Sequence, residues 1–475
     1  MKTCVCLFSV AFLAAWASSD PVRIDSRLEP FVDAHLIGAM NGTHHVLHEP
    51  VGRETAFSFD KRWEGRYSAY VTVLKDGDRF RAYYRGLPEA GKDGSDFETT
   101  CVAESMDGIA WTKPMVGLHE VLGSKDNNVI LFHATPYSHN FAPIVDTRQD
   151  APANERYKAA AGTVDTGLFG FVSEDGLRWT RLDQPILMAT DVHKFDSQNV
   201  VFWSESEGLY LCYFRSFYDK VRAISRTTSP DFRTWSEPVR MTFGDTPAEH
   251  LYTNQTIPYS RAPHIYLAIA ARFMPGRRVI NETEAQAIGS EAQYSGDCSD
   301  TVFMTTRGGS VYDRTFMNAF IRPGLGLNNW TSRTNYPARG VVETGEGELS
   351  MYVQRNYGQT THHLQRLTLR TDGFASINAP YKGGTFTTKP LRFSGKELFL
   401  NMATSAAGSL WVEIQEENGQ PIPGYTRNDS DELIGDFIAR KATWKGNADV
   451  SALAGKTVRL HFDMKDADLY AIQFK

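Results

Sequence analysis

The chain has 475 residues, of which 41% are hydrophobic and 22% charged. This is the composition of a folded globular protein and excludes disordered, collagen-like and coiled-coil chains. The formal net charge is −6 and no basic stripe occurs, which argues against a nucleic-acid partner.

The N-terminus has the features of a secretory signal peptide. Lys2 precedes an apolar run at 5–16, and the small residues Ala15 and Ala17 provide a cleavage site. We expect residues 1–17 to be removed and the protein to be secreted or periplasmic. No other segment reaches the 18–20 apolar residues of a membrane span, so no membrane partner is expected afterwards.

Cysteine and histidine patterns give no metal site. After signal removal the chain keeps Cys101, Cys212 and Cys298, which allow at most one disulfide and no CxxC motif. Cys101 and Cys212 lie in apolar strand-like runs, where a buried thiol is favoured. Adjacent histidines on a strand point to opposite faces and cannot bind one ion, so we predict no metal and no cofactor; a structural calcium in a central channel stays open.

A turn motif repeats along the first part of the chain. The pattern Ser-x-Asp-Gly-x-x-Trp occurs at 105–111 and 173–179, and more loosely at 229–235. Asp and Gly suit tight or left-handed turn positions, and Trp opens the following strand. We therefore interpret the motif as a structural hairpin turn and not as a catalytic loop.

Four predicted strands accompany each turn, and five such units follow one another. This pattern is typical of a β-propeller, whose closure removes exposed sheet edges. We predict an all-β chain with a five-bladed β-propeller at 25–380 and a C-terminal β-sandwich at 381–475. Segment 46–57 could close the ring as an outer strand of the last blade, and 375–378 is assigned to that blade as well. The predicted innermost strands are 67–74, 141–145, 199–203, 251–259 and 340–343.

The starts of innermost strands meet near the axis of a propeller, so their side chains should converge on one pocket. These starts are Trp63–Tyr67, Ser138–Phe141, Phe195–Asn199, Glu249–Asn254 and Arg333–Tyr336. They supply three carboxylates, with amides, histidines and aromatic rings. Glycoside cleavage requires paired carboxylates and groups that grip sugar hydroxyls. The catalytic candidates are Glu64, Asp196 and Glu249, and the substrate-binding candidates are Arg85, His139, Asn140, Asn199, Arg215, His250, Arg272, Asn335 and Arg355.

Each candidate also has a structural interpretation. Glu64 could be a solvated loop acid, Asp196 a turn cap, and Glu249 part of a surface pair with His250. Arg85, Arg215, Arg272 and Arg355 all end the second strand of a unit. They could bind an anionic sugar such as a uronate or a sulfated unit, or equally form salt bridges between blades.

With these residues in view, the chain resembles the five-bladed propeller glycoside hydrolases of families 32, 43, 68 and 117, and secreted bacterial proteins that add a C-terminal sandwich. The resemblance to family 43 implies Glu64 as base or nucleophile, Asp196 as the acid that orients and tunes, and Glu249 as general acid. The chain departs from that pattern because the first acid is Glu rather than Asp and the fructosidase motifs are absent.

The sequence therefore favours a secreted glycoside hydrolase that acts on plant or algal poly- or oligosaccharides. Two alternatives stay open. A sialidase-like hydrolase would be supported by a sixth blade and by three arginines that converge on a carboxylate pocket. A non-catalytic carbohydrate-binding propeller would bind glycans without hydrolysing them.

Overall fold

The structure is a computed structural model that describes residues 20–89, 91 and 94–475. The predicted signal peptide lies outside the described residues. The chain is all-β: the two α-helices, Glu282–Ala287 and Ala292–Ser295, are short. Neither is long and apolar enough to span a bilayer, and no other helix in the described ranges is either. Single-turn 3₁₀ helices lie at Tyr137–His139, Ala153–Glu155, Leu327–Asn329 and Ser451–Leu453.

Five antiparallel sheets form the blades of a propeller, as predicted. Blade 1 contains Ala69–Asp76, Arg79–Gly86, Thr99–Ser105, Trp111–Thr112 and Val129–Leu131. Blade 2 contains Ala142–Val145, Tyr157–Ala161, Leu168–Ser173 and Thr180–Leu187. Blade 3 contains Val200–Ser204, Leu209–Tyr218, Val221–Ser229 and Val239–Arg240. Blade 4 contains His250–Leu251, Thr256–Tyr259, Ala262–Met274, Cys298–Thr306 and Ala319–Ile321.

The fifth blade joins the two ends of the propeller. Its strands Val342–Gly345, Glu348–Arg355 and His363–Arg370 are completed on the outer edge by Val51–Ser58. His363 pairs with Ser58 and Thr368 with Val51. The expectation that the segment before blade 1 closes the ring is confirmed. This strand covers the edge of His363–Arg370 and becomes the outer edge of blade 5.

The C-terminal sheet has ten strands, and four of them come from the N-terminus. It contains Val22–Asp25, Glu29–Pro30, Ile37–Asn41, His44–Leu47, Ala375–Ala379, Gly384–Thr388, Leu391–Phe393, Leu398–Glu416, Asp436–Lys441 and Val458–Phe474. Its two longest strands pair along both halves, with an irregularity between Thr404 and Ser409. The halves share one core that includes Phe386, Leu400 and Val412.

Two sequence-based assignments are corrected by this pairing. Ala375–Ala379 pairs with His44–Leu47 and with Val458–Phe474, so it does not complete blade 5. The strands within residues 22–47 likewise belong to the C-terminal sheet, although the sequence-based propeller at 25–380 included most of them. Both segments have partners hundreds of residues away, which local strand patterns do not reveal.

The repeated turns are structural, as predicted. In the first turn the Ser105 hydroxyl accepts hydrogen bonds from Asp107 N–H and Gly108 N–H at 3.2 and 2.8 Å, and Trp111 Nε1–H donates to Gly108 O at 3.1 Å. Gly176 repeats the arrangement with φ +74°. All three cysteines in the described ranges are buried and unbonded to one another.

Candidate active site

A pocket lies where the innermost strands begin, at the axis of the propeller. Its lining comes from blade 1, blade 4 and blade 5 with the segment before it: Ala69, Tyr70, Arg85, Tyr252, Arg333, Tyr336, Gln354 and Tyr357. We call it the axial pocket. It holds about 280 Å³ of space not filled by atoms, a figure that includes the part open to solvent.

Asp196 and His139 lie together at the edge of this pocket. His139 Nε2 is 3.2 Å from Asp196 Oδ1, and its Nδ1 is 2.9 Å from Glu98 Oε1. The imidazole also packs edge-on against the ring of Tyr70. Asp196 is 38% exposed, whereas the side chains of His139 and Glu98 are buried. The axial pocket therefore has an accessible carboxylate supported from below by a histidine and a second, buried carboxylate.

The neighbouring groups shift the pKa values of His139 and Asp196. Burial and the charge of Arg85 lower the pKa of His139, but hydrogen bonds with Asp196 and Glu98 outweigh them and raise it above its usual value. Burial raises the pKa of Asp196, but the His139 hydrogen bond and the charges of Arg215, His139 and Arg333 hold it well below its usual range. Asp196 is thus an ionised carboxylate at neutral pH.

Arginines surround the axial pocket. Arg85 Nη1 approaches His139 Nδ1 to 3.0 Å, and its guanidinium lies over the Tyr70 ring. The Arg215 guanidinium lies 4.1 Å from the centre of the Tyr252 ring, and Nε donates to Tyr252 O at 3.1 Å. Arg333 lies over the rings of Tyr252, Tyr294 and Tyr357. Arg85 and Arg215 were predicted here, and Arg333 was not assigned a role.

Two other predicted catalytic residues lie elsewhere and are corrected. Glu64 is 0% exposed; it accepts hydrogen bonds from Lys113 Nζ at 2.6 Å, Tyr84 O–H at 2.7 Å and Lys61 N–H at 3.1 Å. Glu249 accepts from Arg272 at 2.8 Å and Arg314 at 2.7 Å. Both carboxylates are saturated by structural partners, so neither is available to a sugar in the axial pocket.

The predicted amide ligands are structural as well. Asn140 and Asn199 are fully buried, and their side-chain amides donate to the same two carbonyls, Phe195 O and Ser197 O. Asn335 donates to Ser299 O and Asn329 O. These asparagines satisfy backbone groups where strands begin and do not face the pocket.

The remaining predicted ligands are divided between rim and blade. His250 Nδ1 lies 3.4 Å from Arg222 Nη1, and the Arg222 guanidinium lies over the Tyr252 ring at the pocket. Arg272 pairs with Glu249 and Asp300 within blade 4, and Arg355 donates to Asn335 and Gln365. Arg272 is thus held by salt bridges within one blade, and Arg85 Nη1 lies 4.0 Å from Glu98 Oε1, whereas Arg215 forms no salt bridge among the described residues.

Glu291 is a candidate that the sequence did not reveal. It precedes the helix Ala292–Ser295, is 40% exposed, and accepts a hydrogen bond from Tyr67 O–H. The Tyr67 ring contacts Tyr357 of the pocket lining. This hydrogen bond is the main cause that lowers the pKa of Glu291. The position lies in an insertion between two blade-4 strands, where no repeat pattern points to the axis.

The base of the pocket is closed by a pair of glutamines. Gln255 Nε2–H donates to Gln198 Oε1 at 2.6 Å and to Pro337 O at 2.9 Å. Gln198 in turn donates to Thr72 Oγ1 at 2.7 Å. This chain of bonds connects four blades across the axis. No group of three or more metal-ligating side chains was found among the residues that the structure describes.

Comparisons with known proteins give remote similarities only. No family model matches the chain, and no curated protein matches it. Among solved structures, a glycoside hydrolase is similar at 12% identity and TM-score 0.43, covering 67% of this chain and 92% of its own. An N-acetylgalactosamine deacetylase from F. plautii, in complex with blood group B trisaccharide, is similar at 13% identity and TM-score 0.42, covering 70% of this chain and 95% of its own. The catalytic domain of an alpha-L-arabinofuranosidase from Coprinopsis cinerea is similar at 10% identity and TM-score 0.38, covering 69% of this chain and 98% of its own. Similarities this low do not transfer an activity to this chain.

Proposed function

We propose that the chain is a glycosidase whose reaction takes place in the axial pocket. The observation that carries the proposal is Asp196, an accessible, ionised carboxylate held by His139, whose ring packs against Tyr70 of the pocket lining. Glycoside hydrolysis requires an ionised carboxylate beside the anomeric carbon, and aromatic rings favour the faces of sugars. Asp196 acts as base or nucleophile, and His139 is its positioning residue.

Glu291 supplies the second carboxylate, which protonates the leaving oxygen. It is the exposed carboxylate bound to the tyrosine cluster on the blade 4 and blade 5 side of the pocket. Because the Tyr67 hydroxyl lowers the pKa of Glu291, the acid form is populated only below its usual range. Activity should therefore be greatest under acidic conditions and decline as pH rises towards neutrality.

The test is hydrolysis of aryl glycosides and methyl glycosides by wild type, Asp196→Asn and Glu291→Gln. We expect Asp196→Asn to lose about 10²-fold or more on every substrate. Glu291→Gln should lose a similar factor on methyl glycosides but little on 4-nitrophenyl glycosides, whose leaving group needs no proton. Asp183→Asn, exposed on the outer strand of blade 2, is the matched control. Full activity in Asp196→Asn would refute the assignment.

A sialidase-like hydrolase is the second candidate. Arg85 and Arg333 line one pocket and Arg215 packs against Tyr252 of its lining, which favours this candidate, whereas the five blades do not supply the sixth that was expected of it. Release of a terminal sialic acid by wild type would select this candidate. Glycan binding without hydrolysis of any substrate would instead select the non-catalytic carbohydrate-binding propeller.

We also propose that the protein is exported and acts on poly- or oligosaccharides outside the cytoplasm. The support is the segment at 1–17. N-terminal sequencing of the protein recovered from the periplasm or medium should begin at Ser18. Recovery in the cytoplasm with Met1 retained would refute export.

A further inference from the structure

Three arginines lie at the axial pocket: Arg333 lines it, and Arg215 and Arg222 pack against the ring of its Tyr252. Within the described ranges, Arg215, Arg222 and Arg333 form no salt bridge, while Asp196 is the one accessible carboxylate among them. The charge of the other nearby carboxylate, Glu98, is taken up by His139 and Arg85. The pocket therefore carries an excess of positive charge before any ligand binds.

These guanidinium groups are also short of hydrogen-bond acceptors. Arg215 is 3% exposed, and its Nη2 is enclosed without an acceptor; the Nε of Arg222 is enclosed in the same way. The hydroxyl of Tyr336, which lines the pocket, has no partner either. Buried donors without acceptors are unfavourable, and charged donors most of all. Burial and the positive charge of Arg215 both lower the pKa of Arg222, which reflects the repulsion between the two.

The backbone at the pocket is held in an uncommon conformation. Tyr70 and Arg333 both line the pocket and have φ of +55° and +59°, in the left-handed region that favours glycine. Conformations of this kind cost about 1–3 kcal/mol each and persist where the surrounding structure requires them. Here they direct Tyr70 and Arg333 towards the same small space.

We infer that the axial pocket binds the anionic group of a terminal sugar, either a carboxylate or a sulfate. That the ligand is a sugar rests on the proposed function, whereas the anionic group is inferred from the arginines alone. A carboxylate or sulfate would supply oxygen acceptors to Arg215 and Arg222 and compensate the excess charge. Guanidinium groups match such planar or multidentate anions.

The test is direct binding, measured by calorimetry on the full-length mature protein. The probes are glucuronate and galacturonate, galactose 6-sulfate, and the neutral sugars glucose and galactose. We expect the anionic probes to bind at least 10-fold more tightly than the neutral ones. Preference for the uronates over galactose 6-sulfate, or the reverse, identifies the anion. Equal binding of neutral and anionic sugars would overturn the inference.

Variants locate the effect in the pocket. Arg215→Gln and Arg222→Gln should each weaken binding of the preferred anion by about 10- to 100-fold, as expected for loss of a charged hydrogen bond. Arg178→Gln, whose side chain is 71% exposed on blade 2, should bind as wild type does. If Arg215→Gln does not fold, Arg222→Gln and the wild-type selectivity still decide. Wild-type affinity in both folded variants would refute the assignment.

Asp196→Asn separates this inference from the hydrolase proposal. Because it removes a negative charge beside the arginines, it should bind the anion at least as tightly as wild type while hydrolysis is lost. Anion binding without any hydrolysis by wild type would refute the glycosidase and leave the anion site standing. Hydrolysis of neutral glycosides alone would refute the anion site and leave the glycosidase standing.

Discussion

Glu64 has the chemistry of a catalytic acid and the surroundings of a structural one, so its replacement separates the two roles. In Glu64→Gln the Lys113 ammonium loses its buried counter-charge and keeps Asp60 at 3.0 Å and Ser58 O at 2.6 Å. The new amide also places N–H donors against Lys113 or Lys61. Breaking a buried pair costs about 3–5 kcal/mol, and because Asp60 remains we expect about 3 kcal/mol.

The corresponding thermal shift follows from the size of the propeller. It extends over about 320 residues from Val51 to Arg370, and an unfolding entropy of about 2.1 cal/mol/K per residue gives about 0.7 kcal/mol/K. A loss of about 3 kcal/mol then lowers Tm by about 4–5 °C. Differential scanning calorimetry measures the shift. Glu397→Gln, which breaks an exposed 2.8 Å pair with Lys441, should change stability by less than about 1 kcal/mol.

Activity completes the comparison. Glu64→Gln should keep its kcat/KM within a few-fold of wild type below its lowered Tm, whereas Asp196→Asn should lose activity even at temperatures well below its own Tm. A Glu64→Gln protein with unchanged Tm and no activity would refute the structural role and restore Glu64 as a catalytic residue.

Three further predictions concern the propeller. The pKa of His139 is raised in the folded protein because hydrogen bonds with Asp196 and Glu98 outweigh burial. Protonated His139 therefore contributes fully to the stability of the fold below pH about 6.5. This contribution is lost as pH rises through the pKa that His139 has in the folded state. Tm should fall over that range in wild type but not in His139→Gln, and parallel profiles would contradict this. Gly176→Ala places a Cβ 2.7 Å from both Arg81 Nη1 and Tyr83 Oη at φ +74°, so calorimetry should show a free energy of unfolding lower by about 2–3 kcal/mol. Gly77→Ala, also at positive φ but in open space, should lower it by about 1 kcal/mol. Equal losses in the two variants would exclude the close contact as the cause. A chain that begins at residue 59 lacks the strand that covers His363–Arg370 and the four N-terminal strands of the C-terminal sheet. It should aggregate in size-exclusion chromatography, whereas a stable monomer would show that both are dispensable.

Much of the fold could be predicted because the signals are local. Each Ser-x-Asp-Gly-x-x-Trp turn makes its own hydrogen bonds within a few residues, as Ser105 and Trp111 do, so the blades are evident from the sequence. The strands at 22–47 could not be assigned because their partners follow residue 375. Their pattern is the same whichever sheet receives them.

The site residues were predictable only where the course of the backbone alone determines where a side chain points. Asp196 and His139 precede innermost strands and lie together beside Arg85 and Tyr70 of the pocket lining. Glu64 precedes such a strand too, but Lys113, 49 positions away in the sequence, draws its carboxylate into the blade. Arg333 belongs to a segment singled out in the sequence, yet its positive φ is a tertiary constraint that residue type does not indicate.

Closure of the ring by Val51–Ser58 has a consequence for synthesis. This strand leaves the ribosome early, whereas its partner His363–Arg370 follows about 300 residues later. At about 5–20 residues per second, the wait is about 15–60 s, during which blades 1 to 4 can assemble while the seam stays open. The segments at 22–47 wait longer still for the C-terminal sheet. Throughout this interval the growing chain presents unpaired strand edges, and a chaperone that holds the N-terminal 60 residues should raise the yield of the native protein.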